Sequence, residues 1–341
     1  MKYHIWTLGC QYNEWDAARL NFLMQKLGFS ESEPRKADVI LILACAVRQT
    51  AVDRILGKVK NWTATSTDLF HGIRTEKNNK SMKRSNNCPL ILVTGCVLDA
   101  DKKKFTDKGI EIFESGDFDQ LLNLLHSKFD IITPATYPLQ PRTCYIPIMI
   151  GCNNFCSYCA VPYTRGREKS RSMEDVINDV QAIIDSGQKE IMLLGQNVNS
   201  YRIQNTELRT QQKKAKSDFT ILLEKLNNMD GEFKISFMSN HPKDMSDDII
   251  EAVATLPKIK KEIHLPLQSG SNKILKAMNR PYTVEEYLRL IENCKLKIEN
   301  LKLSTDVIVG FPGETEEDFL ETVKVFEKVG YAVAYINKYS P

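Results

Sequence analysis

The sequence predicts an α/β protein of two domains, each built on parallel strands. Three observations carry that expectation. Short β-branched runs alternate with stretches of helical periodicity along most of the chain, the pattern that parallel strands and their crossovers require. The 341 residues are enough for about two domains. A segment with three prolines, 133–143 ("TPATYPLQPRT"), parts two such alternating regions and reads as a linker.

In the first region, 1–132, one pattern occurs three times. "HIWTLGC" ends at Cys10, "ADVILILAC" at Cys45 and "LILVTGC" at Cys96. Each is an apolar, β-rich run with a cysteine at its exit. Helical spacing follows the first two, over Trp15–Leu27 and Val47–Val59. In a parallel sheet the strand exits lie along one edge, where ligands bind. Cysteines 35 and 51 residues apart can therefore meet. Buried free cysteines are common, but three at one structural address point to a metal site. Residues 63–87 are polar, basic and aperiodic, and read as an inserted surface loop.

The second region, 144–341, continues the alternation. Strand-like runs are "YIPIMI", "EIMLLG", "KISFMS", "KEIHLPL" and "LSTDVIV", with a last strand over Tyr331–Lys338. Helical stretches lie near 173–186, 218–229, 245–256, 271–278, 283–299 and 315–329. That is a partial, TIM-like (βα)6 barrel. Residues 204–217 read as another polar, basic loop.

Apolar residues make up 42% of the chain, enough for sizeable cores. The net charge of +3 neither demands nor excludes a polyanionic partner. No apolar run reaches the ~18 residues of a membrane span. The first residues carry no signal core. A cytoplasmic protein with no membrane partner is expected. Its nine cysteines then serve as thiols or metal ligands rather than disulfides.

The densest cysteine motif is "GCNNFCSYC", with Cys152, Cys156 and Cys159 after the first barrel strand. Thiolates suit zinc or iron–sulfur clusters. Structural zinc takes four closed ligands, commonly as two separated pairs. Ferredoxin-type runs have two-residue gaps and a fourth cysteine. Neither pattern is present. Three thiolates on a four-iron cluster leave one iron open, at the barrel end where such enzymes place their chemistry.

This motif, with Tyr158 before its last cysteine, resembles the radical S-adenosylmethionine (SAM) superfamily. "GCNNFCSYCAVPYTRGREKSR", "LLGQNVNSY", "SNHP", "HLPLQSGSNKIL" and "DVIVGFPGETEEDF" resemble successive blocks of the methylthiotransferases, closest to the MiaB-type enzymes of tRNA. "LGCQYNEWD", "ACAVRQTA" and "TGCVL" resemble that family's N-terminal domain. The resemblance implies two [4Fe–4S] clusters. The radical cluster lies on Cys152, Cys156 and Cys159, and an auxiliary one on Cys10, Cys45 and Cys96. It implies one SAM as methyl donor and a second as radical source. The product carries a methylthio group at C2 of N6-isopentenyladenosine, in the anticodon stem-loop of tRNA. SAM contacts are implied for Tyr158, Gln196, Asn197, Gln268, Ser269, Asp306, Gly310 and Pro312. Gln196 and Asn197 would meet the SAM amino group. Gln268 and Ser269 would face the barrel mouth. Arg165, Arg167 and Arg171 suit carboxylate or phosphate contacts. An electron donor, a sulfur donor system and a monomeric state are also expected.

The chain departs from the family pattern in two places. Leu43-Ala44 stand where the family commonly has Asn-Thr before its second cysteine, which removes a polar contact. After "INKYSP" the family's small tRNA-gripping TRAM barrel would be expected, so a truncated chain is expected. Three alternatives stay open. The same chemistry could act on N6-threonylcarbamoyladenosine or on a ribosomal-protein aspartate. A different radical SAM enzyme could carry structural N-terminal cysteines. A zinc- or cluster-bearing RNA-binding module could have no activity at all.

Overall fold

The computed structural model describes residues 1–45, 49–63, 88–131, 144–203 and 216–340. The expected linker 133–143 and nearly all of the expected loops 63–87 and 204–217 lie outside the described residues, as do residues 46–48. The chain divides into two compact units, Met1–Pro141 and Arg142–Pro341. No described helix is long and apolar enough to cross a membrane.

The first unit runs β1 (Lys2–Thr7), α1 (Gln11–Lys26), β2 (Ser30–Glu31), β3 (Val39–Cys45), α2 (Gln49–Thr63), β4 (Leu90–Cys96), α3 (Asp99–Thr106), β5 (Glu111–Ile112) and α4 (Phe118–His126). Its five strands form one parallel sheet in the order β2-β1-β3-β4-β5. The central strand β3 shows why the layers form. Side chains alternate faces along a strand, and both faces of β3 are covered. Val39, Leu41 and Leu43 pack with Tyr3, Leu20 and Leu23 on one face. Ile40, Ile42 and Ala44 pack with Val52, Ile55 and Phe105 on the other. Each larger aliphatic chain buried this way contributes about 1.5–3 kcal/mol.

Helix α1 begins at Gln11, four residues before the expected Trp15. Apolar periodicity misses that first turn because it is polar. Its start is set instead by Cys10, whose extended backbone (φ −91°, ψ 177°) places its carbonyl to accept from Asn13 N at 2.9 Å. Helix α2 reaches Thr63, past the expected Val59.

The second unit runs β6 (Tyr145–Pro147), β7 (Met149–Ile150), α5 (Val161–Thr164), β8 (Lys169–Ser170), α6 (Met173–Asp185), β9 (Glu190–Leu194), α7 (Asp218–Asn227), β10 (Lys234–Phe237), α8 (Asp247–Thr255), β11 (Glu262–His264), α9 (Asn272–Ala277), α10 (Val284–Lys297), β12 (Lys302–Val309), α11 (Glu316–Val329) and β13 (Val333–Lys338). The six barrel strands hydrogen-bond as two parallel sheets, β10-β9-β6 and β11-β12-β13. An isolated parallel bridge, Ile235 to Ile259, lies between them in sequence. One core joins both sheets to their helices, with Ile146, Leu193, Ile235, Ile263 and Leu303 from the strands and Val176, Leu222, Ile249, Tyr287 and Val325 from the helices. Helices α10 and α11 open on full capping boxes, Thr283 with Glu286 and Thr315 with Asp318, which satisfy donors the first turn leaves free.

Several expected strands are shorter than read, two of them for a visible cause. "YIPIMI" breaks at Ile148: β6 pairs with β9, whereas β7 turns away to pair antiparallel with β8. "KEIHLPL" ends as a strand at His264, because Pro266 has no N–H to give the ladder.

Candidate active site

In the first unit, the three strand-end cysteines stand at one edge. Cys45 and Cys96 are direct register partners across β3 and β4, on strands about 4.8 Å apart. Cys10 lies three residues past β1, whose exit is tied to β3 by Leu8 N donating to Leu43 O at 2.8 Å. A methyl group on Gly9 would fall 3.1 Å from Cys45 Cβ, so the backbone before Cys10 runs against Cys45. The buried amide of Asn13 donates to both Leu8 O and Ala44 O, each at 3.2 Å. It joins the two exits where Leu43 and Ala44 bring no polar side chain. Gly95 completes the close approach: at φ +100° its Cβ would stand 2.4 Å from Ala44 O. Only glycine fits there.

In the second unit, the ribbon β7–β8 closes a lasso over 151–168. Met149 pairs with Ser170 and Ile150 with Lys169, and Cys152 N donates to Gly166 O at 3.2 Å. Gly151 lies at the crossing. Its φ is +78°, and a Cβ there would sit 2.3 Å from Arg167 O. The lasso carries Cys152 and Cys156, both buried, and Cys159, half-buried. Burial holds the Cys152 thiol above its ordinary range, with further repulsion from Cys156 and Glu168. A bound cationic metal takes the place of such a proton.

A segment the sequence reading passed over braces this lasso. Arg280, 8% exposed, donates from Nη1 to Cys156 Sγ at 3.5 Å, from Nη2 to Pro266 O at 3.2 Å and from Nε to Tyr282 OH at 2.9 Å. Burial opposes its charge, but Tyr158, Tyr282 and Cys156 outweigh burial and hold it protonated. Ser157 donates from N to Met278 O at 3.1 Å and from Oγ to Ala277 O at 2.9 Å. Asn279 Nδ2 donates to Phe155 O at 2.9 Å. Nothing in "AMNRPY" signals a partner 124 residues earlier; only the fold brings Arg280 to Cys156.

The implied SAM contacts divide into three groups. Tyr158 packs on a small apolar cluster of Ile274, Met278 and Phe311, and burial pushes its hydroxyl well above the usual range. Gln196 Oε1 accepts from Gly151 N at 2.7 Å, so it ties the second strand exit to the lasso. Asn197 is buried and its Nδ2 donates to Asp244 Oδ2 at 2.7 Å.

At the fourth strand the picture differs from expectation. Ser269 is fully buried rather than facing the mouth, and its Oγ accepts from Ser271 N at 3.2 Å. Gln268 takes φ +69° and bridges to Val307.

At the fifth strand, Asp306 Oδ2 lies 3.1 Å from His264 Nε2. His264 Nδ1 in turn lies 2.9 Å from Ser304 Oγ. Gly310 opens a turn clamped by Glu314, whose carboxylate accepts from Gly310 N and, at 3.3 Å, from Phe311 N. Pro312 is exposed beside it. Of the three arginines, Arg165 is buried, and Arg171 is held by Asp179 at 2.7 Å and Pro147 O at 2.9 Å. Arg167 is exposed.

Among the described residues, three buried polar atoms at the exits of β9 and β10 have no partner: Asn197 Oδ1, Asn240 Oδ1 and His241 Nε2. Each costs about 1–3 kcal/mol if left so. Burial, then the charges of Arg280 and Lys243, lower the His241 pKa to about 2, so its imidazole is neutral. This unspent hydrogen-bonding capacity, with soft thiolates beside it, fits a polar cofactor on an iron–sulfur cluster. Among the described residues, no three His, Cys, Asp or Glu side chains are set around one metal ion. A four-iron cube instead spreads its thiolates over separate irons.

Comparison with known proteins agrees. The model of the radical SAM superfamily matches residues 146–326, and that of uncharacterized protein family UPF0004 matches 2–113. The tRNA-2-methylthio-N(6)-dimethylallyladenosine synthase of Thermoanaerobacter pseudethanolicus is 42% identical over 99% of this chain and 71% of its own. The protein of that name from Finegoldia magna is 38% identical over 99% of this chain and 72% of its own. In fold, the chain is similar to the radical SAM methyltransferase TsrM from Kitasatospora setae, with a TM-score of 0.62 at 11% identity over 98% of this chain and 72% of that one. The chain belongs to the radical SAM superfamily and, within it, to the family of the tRNA-2-methylthio-N(6)-dimethylallyladenosine synthases.

Proposed function

We propose that this protein is a methylthiotransferase that places a methylthio group on C2 of N6-dimethylallyladenosine beside the tRNA anticodon. What carries the reading is family membership across nearly the whole chain. Cys152, Cys156 and Cys159 hold the radical cluster, and Cys10, Cys45 and Cys96 the auxiliary one. Bound there, the clusters and SAM supply one-electron reduction, hydrogen abstraction from a carbon too weakly acidic for a base, and a methylated sulfur. The chain's own residues hold and orient. Gln196 fixes the lasso at Gly151. Arg280 steadies the Cys156 thiolate. Asn197 and Asn240 keep an acceptor oxygen free at the mouth for the SAM polar groups, and His241, whose Nδ1 accepts from Lys243 N, keeps its Nε2–H free to donate. Asp306, oriented by His264, and the Glu314-clamped turn at Gly310 receive its nucleoside. The enzyme works as a monomer in the cytoplasm. An electron donor and a sulfur donor come from outside the chain. An anticodon loop suits such a site because its unpaired bases can be splayed into a pocket.

The reconstituted enzyme tests this without oxygen, with reductant, SAM and tRNA bearing the dimethylallyl group but no sulfur. Each methylthio group formed is expected to come with about one S-adenosylhomocysteine and one 5′-deoxyadenosine. Product without 5′-deoxyadenosine, or no product at all, would overturn the reading.

A further inference from the structure

Beside the lasso cysteines stands an aromatic group that no core uses. Phe155, between Cys152 and Cys156, meets Tyr163 edge to face, with ring centres 6.0 Å apart and planes at 86°. The Arg167 guanidinium lies 4.2 Å over the Phe155 ring. Tyr163 is 73% exposed. Among the described residues, neither ring belongs to a hydrophobic core cluster.

The backbone is strained to hold this arrangement. Phe155 has φ +48°, and Asn279, which ties down its carbonyl, has φ +56°. A left-handed phenylalanine is rare and costs on the order of 1–3 kcal/mol. Of the basic side chains in 165–171, Arg165 is buried and Arg171 is paired with Asp179, while Arg167 and Lys169 are exposed. A rigid exposed ring beside exposed cations is what an unpaired nucleotide needs, since its base stacks and its phosphate pairs.

We propose that Tyr163, braced by Phe155 and Arg167, is the platform on which an unpaired nucleobase of the RNA substrate stacks. The inference rests on the tRNA reading above and adds the surface that grips the loop. The base takes the free face of Tyr163. Arg167, one face spent on Phe155, turns its remaining N–H groups to the adjoining phosphate.

The test measures binding of the full reconstituted chain to a fluorescent RNA hairpin with an unpaired loop, and to a blunt duplex of the same stem, at fixed salt. Wild type should prefer the hairpin. Tyr163→Ala should weaken hairpin binding roughly tenfold or more, leaving duplex binding and iron content unchanged. Tyr163→Trp should stay within about twofold of wild type, since its ring also stacks. Arg167→Ala should lower the salt dependence by about one phosphate contact. If wild type prefers the hairpin and Tyr163→Ala binds it equally well, the platform is overturned and the tRNA reading stands. If wild type shows no preference for the hairpin, both fall.

Discussion

Replacing Cys152 with alanine will lower the iron of the reconstituted protein from about eight atoms per chain to about four, and will abolish SAM cleavage. Cys152 is buried in a lasso whose backbone is fixed independently of its thiol. The ribbon β7–β8, the Gly151–Gly166 crossing and the Gln196 tie all remain. The variant therefore folds, and the loss is confined to one cluster. Cys45→Ala makes the complementary cut. Iron again falls to about four, but SAM cleavage persists while methylthio transfer stops. Iron analysis and 5′-deoxyadenosine assay read the two together. If Cys45→Ala leaves iron unchanged, the strand-end cysteines hold no cluster. If both variants lose all iron, the two triplets do not act as separate sites.

The second large effect belongs to Arg280. Replacing it with methionine removes the donor to Cys156 Sγ and to Pro266 O from a site only 8% exposed. Breaking a buried charged network costs about 3–5 kcal/mol. For a unit of this size that lowers the melting temperature by roughly 6–20 °C. Arg280→Lys should recover only part, because an ammonium cannot serve these spread acceptors with a planar fork. Once reconstituted, Arg280→Met should also show a lower midpoint potential of the radical cluster. The removed positive charge favours the more negative reduced form. An unshifted potential with a lowered melting temperature would make Arg280 a packing residue alone.

Different parts of this account were legible in the sequence to different degrees. The strand-end cysteines could be read because parallel sheets align strand exits, and the register of Cys45 with Cys96 follows from that rule. The (βα)6 order could be read from alternation. The start of α1 could not, since Cys10 sets it by backbone geometry rather than by apolar spacing, whereas those of α6 and α7 fall where the periodicity placed them. The break of "YIPIMI" at Ile148 was hidden because both halves are equally β-prone; pairing with Lys169 and Ser170 decides it. Arg280, Asn279 and Glu314 escaped for another reason. Their partners are cysteine sulfur and backbone groups, and no local pattern records a backbone partner far away in sequence. Ser269 misled because a hydroxyl beside a glycine at a strand end suits a ligand and an internal turn equally. Burial separates the two, and here the hydroxyl is internal.

The most direct measurement is nucleoside mass spectrometry of tRNA from a host that lacks its own methylthiotransferases and expresses this chain. The account predicts 2-methylthio-N6-dimethylallyladenosine with the intact chain and only the sulfur-free nucleoside with Cys152→Ala. Identical nucleosides from both strains, or sulfur gained by threonylcarbamoyladenosine in its place, would contradict it.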